Sequence, residues 1–101
     1  MTLTITLVQT NLHWENIDAN LAMFDEKLAS IPASDVVVLP EMFTTGFSMN
    51  VGTIFEDMQG KAVTWMHQQA KRLNAAITGS LIIQENGLYY NRLLWVEPSG
   101  K

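Results

Sequence analysis

Glu41, Ser80, His13 and His67 are the side chains of this 101-residue sequence whose type and place could do chemistry. Glu41 follows an apolar run, Val36-Val37-Val38-Leu39, directly through Pro40, which sets it at the C-terminal rim of a buried strand. A carboxylate there is expected to be partly desolvated, a state that suits a general base near neutral pH. Position alone leaves open a plain surface carboxylate in a loop, since structural ion pairs also gather at sheet edges. Ser80 lies in Thr78-Gly79-Ser80-Leu81, which lacks the second glycine of a nucleophile elbow and opens a strand where a helix should follow. It reads as a strand-packing serine. His67 has no aspartate spaced to orient it and reads as a surface or boundary residue, while His13, beside Trp14, belongs to the loop before the first helix. The sequence has no cysteine, hence no disulfide, no thiolate metal site and no thiol nucleophile of its own. The two histidines are too far apart to make a local ligand pair, so no metal is expected.

The elements that must position Glu41 can be read from periodicity. Residues 3–9 alternate with period two and predict a strand. Ile17, Leu21, Phe24, Leu28 and Ile31 form one stripe of an amphipathic helix, with Asn16 as its cap and Pro32 as its end. Val36 to Leu39 is apolar on both faces, as in a central strand covered on both sides. Strand, helix and strand make a βαβ unit, whose ligand crevice lies beyond the carboxyl ends of its strands, where residues 40–50 fall. A second helix begins at Gly60, with Val63, Met66, Ala70 and Leu73 inward, Lys61, Gln68, Lys71 and Arg72 outward, and Asn74 closing it. Residues 76–83 and 88–96 read as a hairpin about Glu85-Asn86-Gly87. The expected fold is therefore α/β, in the order β-α-β-α-β-β. Trp65, Trp95 and the six methionines read as packing residues.

Composition removes several function classes. A net charge of −4 leaves no basic stripe for a phosphate backbone, so nucleic acid is not an expected partner. No apolar run is long enough to cross a membrane and no signal peptide is legible, which points to a soluble cytoplasmic protein. Gln9-Thr10-Asn11-Leu12 stands where a glycine-rich phosphate loop would follow the first strand, so no nucleotide cofactor is expected.

Val36-Val37-Val38-Leu39-Pro40-Glu41-Met42-Phe43 resembles the nitrilase, or carbon-nitrogen hydrolase, superfamily's apolar strand followed by Leu-Pro-Glu and an aromatic. Val8-Gln9-Thr10, Asn20-Leu21, Gly79-Ser80, Tyr90-Asn91-Arg92 and Glu97-Pro98-Ser99-Gly100 are similar to further family features in the same order. Within the family, Pro40 to Phe47 looks most like the small ω-amidases that act on 2-oxo-acid amides. The resemblance implies that residues 1–101 are the N-terminal portion of a single hydrolase domain, a four-layer α-β-β-α sandwich that forms homo-oligomers. It also implies a glutamate, lysine and cysteine triad working on a small-molecule amide. Only Glu41 can be carried over as a triad member, because Lys101 falls several positions too early for the family lysine. Phe43, Phe47 and Asn91 become candidate substrate-binding residues, against core packing for the aromatics and a loop-bracing or strand-end role for Asn91. From a different class, a small α/β binding module without chemistry fits the same composition.

Overall fold

Three consecutive valines, β-branched and stiff at χ1, favour extended chain over helix, and in the computed structural model they form the strand Val36–Val38. The structure describes residues 2–50, 52 and 54–100; Lys101 lies outside them. Its elements are β1 (Ile5–Leu7), α1 (Ile17–Leu28), β2 (Val36–Val38), α2 (Lys61–Leu73), β3 (Ala76–Glu85) and β4 (Leu88–Val96), the succession expected from the sequence. One sheet runs in the order β1-β2-β3-β4. β1, β2 and β3 are parallel, and β4 returns antiparallel along β3 from Ile77 to Glu85. Asn86 and Gly87 turn that hairpin with φ of 54° and 77°, the left-handed pair a two-residue loop of this hand requires.

Helix ends follow local chemistry. The Asn16 side chain accepts the Ala19 N–H at 3.0 Å, and Asn74 takes the left-handed conformation that closes α2. α1 stops at Leu28, short of the expected end. Ile31, directly before Pro32, is disfavoured from helical geometry, yet its side chain still packs on the core from the connecting turn.

Both helices cover one face of the sheet. Phe24, Leu28, Met66 and Ala70 meet Val37, Ile77, Leu81, Ile83 and Val96 there in one buried cluster. Register places Ile5, Leu7, Val36, Val38, Thr78, Trp95, Ser80 and Leu93 on the opposite face, because paired residues of neighbouring strands share a side. That face is open among the described residues: Leu7 is 65% exposed, Leu93 72% and Trp95 53%. The reading of Trp95 and of all six methionines as packing residues is corrected accordingly, since Met49 and Met58 are exposed as well. Of the three β2 valines, only Val37 is fully buried, so the strand is covered on one side rather than two.

The N-terminus of α2 is satisfied by a residue five positions before its first. Glu56 accepts the N–H groups of Ala62 and Val63, both at 3.0 Å, and its own backbone joins the edge of β3 beside Ile83. Burial raises the Glu56 pKa above the usual carboxylate value, opposed by those two backbone donors. The folded state therefore holds this proton more tightly than the unfolded chain does. Its contribution to stability is full below the ordinary carboxylate pKa and is lost as pH rises through the raised one. Glu56→Ala is expected to cost about 1 kcal/mol, the usual loss for an N-terminal cap. Glu56→Gln keeps an oxygen acceptor and should cost less, while flattening the pH dependence of stability just above the ordinary carboxylate range. Denaturant unfolding across that range measures both, and equal losses from the two variants would exclude the capping role.

Candidate functional site

β2 ends at Val38, opposite Thr78, but β3 runs on to Glu85, so one edge of β3 is left without a strand partner. The chain after β2 takes that edge. The carbonyls of Thr78, Ser80 and Ile82 accept in turn from the N–H groups of Leu39 at 2.8 Å, Phe43 at 3.0 Å and Glu56 at 3.2 Å. Glu41 lies between the first two anchors, at the C-terminal end of β2 where the crevice is expected.

Met42 fixes how Glu41 leaves the sheet. Its φ of 49° is left-handed, a conformation that costs a residue with a side chain about 1–3 kcal/mol and persists only where surroundings impose it. Here its N–H donates to the buried Ser80 Oγ at 2.8 Å, and its carbonyl accepts from Thr45 at 3.2 Å and Gly46 at 2.9 Å. The turn straddles the sheet edge: Met42 is buried on the open face against Ile54 and Ile82, and Phe43 is buried on the helix face. Gly79 permits this. A Cβ there would stand 3.0 Å from the Phe43 ring and 3.1 Å from Leu39 Cβ, closer than most side chains tolerate.

A second brace comes from α1. Asn20 is wholly buried; its Oδ1 accepts the His13 N–H at 2.7 Å, and its Nδ2 donates to the carbonyls of His13 at 2.8 Å and Thr44 at 2.7 Å. Losing a buried partner of this kind costs about 1–3 kcal/mol for each orphaned group. Glu15, itself at φ 52°, donates its N–H to the Thr45 carbonyl at 2.8 Å, and its carboxylate accepts from the Ser48 hydroxyl. The loop carrying Glu41 is thus tied to β3 on one side and to the segment before α1 on the other. Asn20 was visible in the sequence only as part of an Asn-Leu pair; its bracing role depends on partners 7 and 24 residues away. Glu15, Ser48 and Glu56 carried no sequence signal for their contacts.

Glu41 lines a cleft of about 390 Å3 together with Val38, Leu39, Thr78, Ser80 and Asn91. Glu41 is exposed, which corrects the expected partial desolvation. Asn91 borders this cleft and an adjoining, largely apolar groove of about 290 Å3 that also holds Phe47, Met42, Ile82, Tyr89 and Tyr90. Glu41, Asn91 and Phe47 are therefore brought to one continuous surface. Phe43 is not. Its ring has no exposed area and meets Phe24 edge-on at 5.8 Å and Trp65 at 5.9 Å, so the pocket-lining reading of Phe43 is corrected to core. Asn91 is exposed and its side chain makes no hydrogen bond among the described residues, so it does not brace the Glu41 loop. His13 and His67 are both exposed and stand apart from the cleft lining. Among the described residues there is no group of three or more His, Cys, Asp or Glu able to hold a metal, and no helix is long and apolar enough to cross a membrane.

Residues 4–101 match the profile of the carbon-nitrogen hydrolase family. The chain belongs to the carbon-nitrogen hydrolases. It is 45% identical over 98 residues to the omega-amidase YafV of Escherichia coli, covering 97% of this chain and 38% of that protein. It is also 41% identical to the omega-amidase YafV of Yersinia enterocolitica, covering 98% of this chain and 38% of that relative. A crystal structure of a CN-hydrolase superfamily protein from Xanthomonas campestris, bearing an arsenic adduct in its active site, superposes with a TM-score of 0.93 at 42% identity. That match covers 98% of this chain and 38% of the other. The chain thus spans about 38% of the length of these three relatives, and its sheet and two helices match the N-terminal part of the carbon-nitrogen hydrolase fold.

Proposed function

We propose that the full-length protein is an amidase acting on the ω-amide of a small 2-oxo acid, with Glu41 as its general base. The observation that carries this reading is the placement of Glu41: a carboxylate with no hydrogen bond among the described residues, lining a cleft beside a strained turn that two other elements hold in place. The relatives' names, omega-amidase and, at 30% identity over 70 residues, the 2-oxoglutaramate amidase of Bacillus subtilis, support the substrate class.

On this reading Glu41 removes the proton of a cysteine thiol, and the resulting thiolate attacks the amide carbonyl carbon. A lysine ammonium stabilises the tetrahedral oxyanion. Glu41 then returns its proton to the departing nitrogen, ammonia leaves, and water hydrolyses the thioester. The 101 residues contain no cysteine, so the thiol comes from elsewhere in the full-length protein and this stretch is inactive by itself. Asn91 offers an amide to the substrate's polar end and Phe47 an apolar wall, both on the surface that continues from Glu41.

Ammonia release by the purified full-length protein tests the reading, with 2-oxoglutaramate compared against glutamine and simple aliphatic amides. Turnover in the ordinary enzyme range, about 1–1,000 per second, is expected for the 2-oxo acid amide. Preference for another amide would move the substrate class, and no hydrolysis of any would favour the binding-module alternative.

A further inference from the structure

We infer that Ser80 is a positioning residue for Glu41, an inference that rests on the general-base reading above. Ser80 is 4% exposed and holds both residues that follow Glu41: its Oγ accepts the Met42 N–H at 2.8 Å and its carbonyl accepts the Phe43 N–H at 3.0 Å. Any residue could supply the carbonyl bond, but a serine whose only task is to fill space in a strand would not also hold the Met42 amide through its hydroxyl. The side-chain bond matters because of what it restrains. Met42 occupies the left-handed region at φ 49°, and its buried N–H has Ser80 Oγ as its acceptor. Without that acceptor the turn can relax toward an ordinary conformation, and rotation at Met42 swings the peptide that carries Glu41. The Phe43 anchor and the tight seat of Phe43 and Leu39 against Gly79 remain, so the loop stays attached while the carboxylate loses its aim.

The geometry also accounts for the hydroxyl rather than a methyl at this place. A hydroxyl has one donor and two acceptor sites, and the Met42 bond uses one acceptor only. Ser80 also lines the cleft with Glu41.

The test uses the full-length protein with steady-state hydrolysis of its best amide substrate. Ser80→Ala is expected to lower kcat about 100-fold, the scale of a misplacement of roughly 1 Å, with KM changed little. Ser80→Cys, nearly the same size with a weaker sulfur acceptor, should fall between Ala and wild type. In a Glu41→Gln background, Ser80→Ala should cause no further loss, because Ser80 acts through Glu41. A wild-type kcat in either Ser80 variant overturns the inference, as does a full additional loss in the Glu41→Gln background. Should Ser80→Ala fail to fold, the Cys variant alone decides, since it preserves the packing and weakens only the bond. If instead Glu41→Gln turns over like wild type, the general-base reading itself fails, whatever Ser80 does.

Discussion

Glu41→Gln in the full-length protein is expected to lower kcat for amide hydrolysis by about 100- to 10,000-fold, the range that a positioned general base supplies. The amide is isosteric with the carboxylate, so shape is kept and proton acceptance is lost. Structural cost should be small, because Glu41 is exposed and its carboxylate accepts no hydrogen bond among the described residues. That combination makes the variant informative. A large fall in kcat with an unchanged unfolding midpoint would isolate chemistry from folding, whereas a wild-type rate would refute the assigned role. A rise in KM alone would instead make Glu41 a ground-state binding group. Single-turnover measurement of the acylation step locates the loss, since the proposed mechanism needs the base when the thiolate forms.

Much of this arrangement is legible before any coordinates. Val36 to Leu39 followed by Pro40 announces a buried strand and its end, and the residue after it must lie at the rim of the sheet. Asn16, Asn74 and Asn86-Gly87 mark ends and turns because their chemistry is local: a side chain bonding three residues away, or a left-handed residue tolerated in place. What escapes the sequence is non-local. Ser80 meets Met42 across 38 positions, and Glu56 meets the start of α2 after pairing with β3, contacts that exist only once the sheet has fixed who neighbours whom. The same reason explains Phe43 and Trp95. An aromatic five residues past a strand can turn to either face, and only the straddling turn at Met42 sends Phe43 among the helices. Trp95 alternates correctly along β4, but alternation says nothing about which face is covered.

Phe43→Ala is expected to be the most destabilising single change at the site, costing about 3–5 kcal/mol as buried aromatic truncations do. The ring is fully enclosed and stands at the junction of three elements, edge-on to Phe24 of α1, near Trp65 of α2, and against Gly79 of β3. Removing it forfeits the transfer term, leaves a cavity, and loses aromatic pair contacts worth about 0.5–1.5 kcal/mol each. Collapse into the void is hindered, because Trp65 is tied through its indole N–H to Asp25 at 2.7 Å and cannot shift freely. The midpoint of denaturant unfolding in the full-length protein measures the loss. Phe43→Leu, which restores most of the volume, should recover the larger part of it while leaving KM near wild type. A residue that lined the substrate pocket would behave in the opposite way, raising KM several-fold with a modest change in stability. The two variants together therefore separate a core residue beside the cleft from a contact within it.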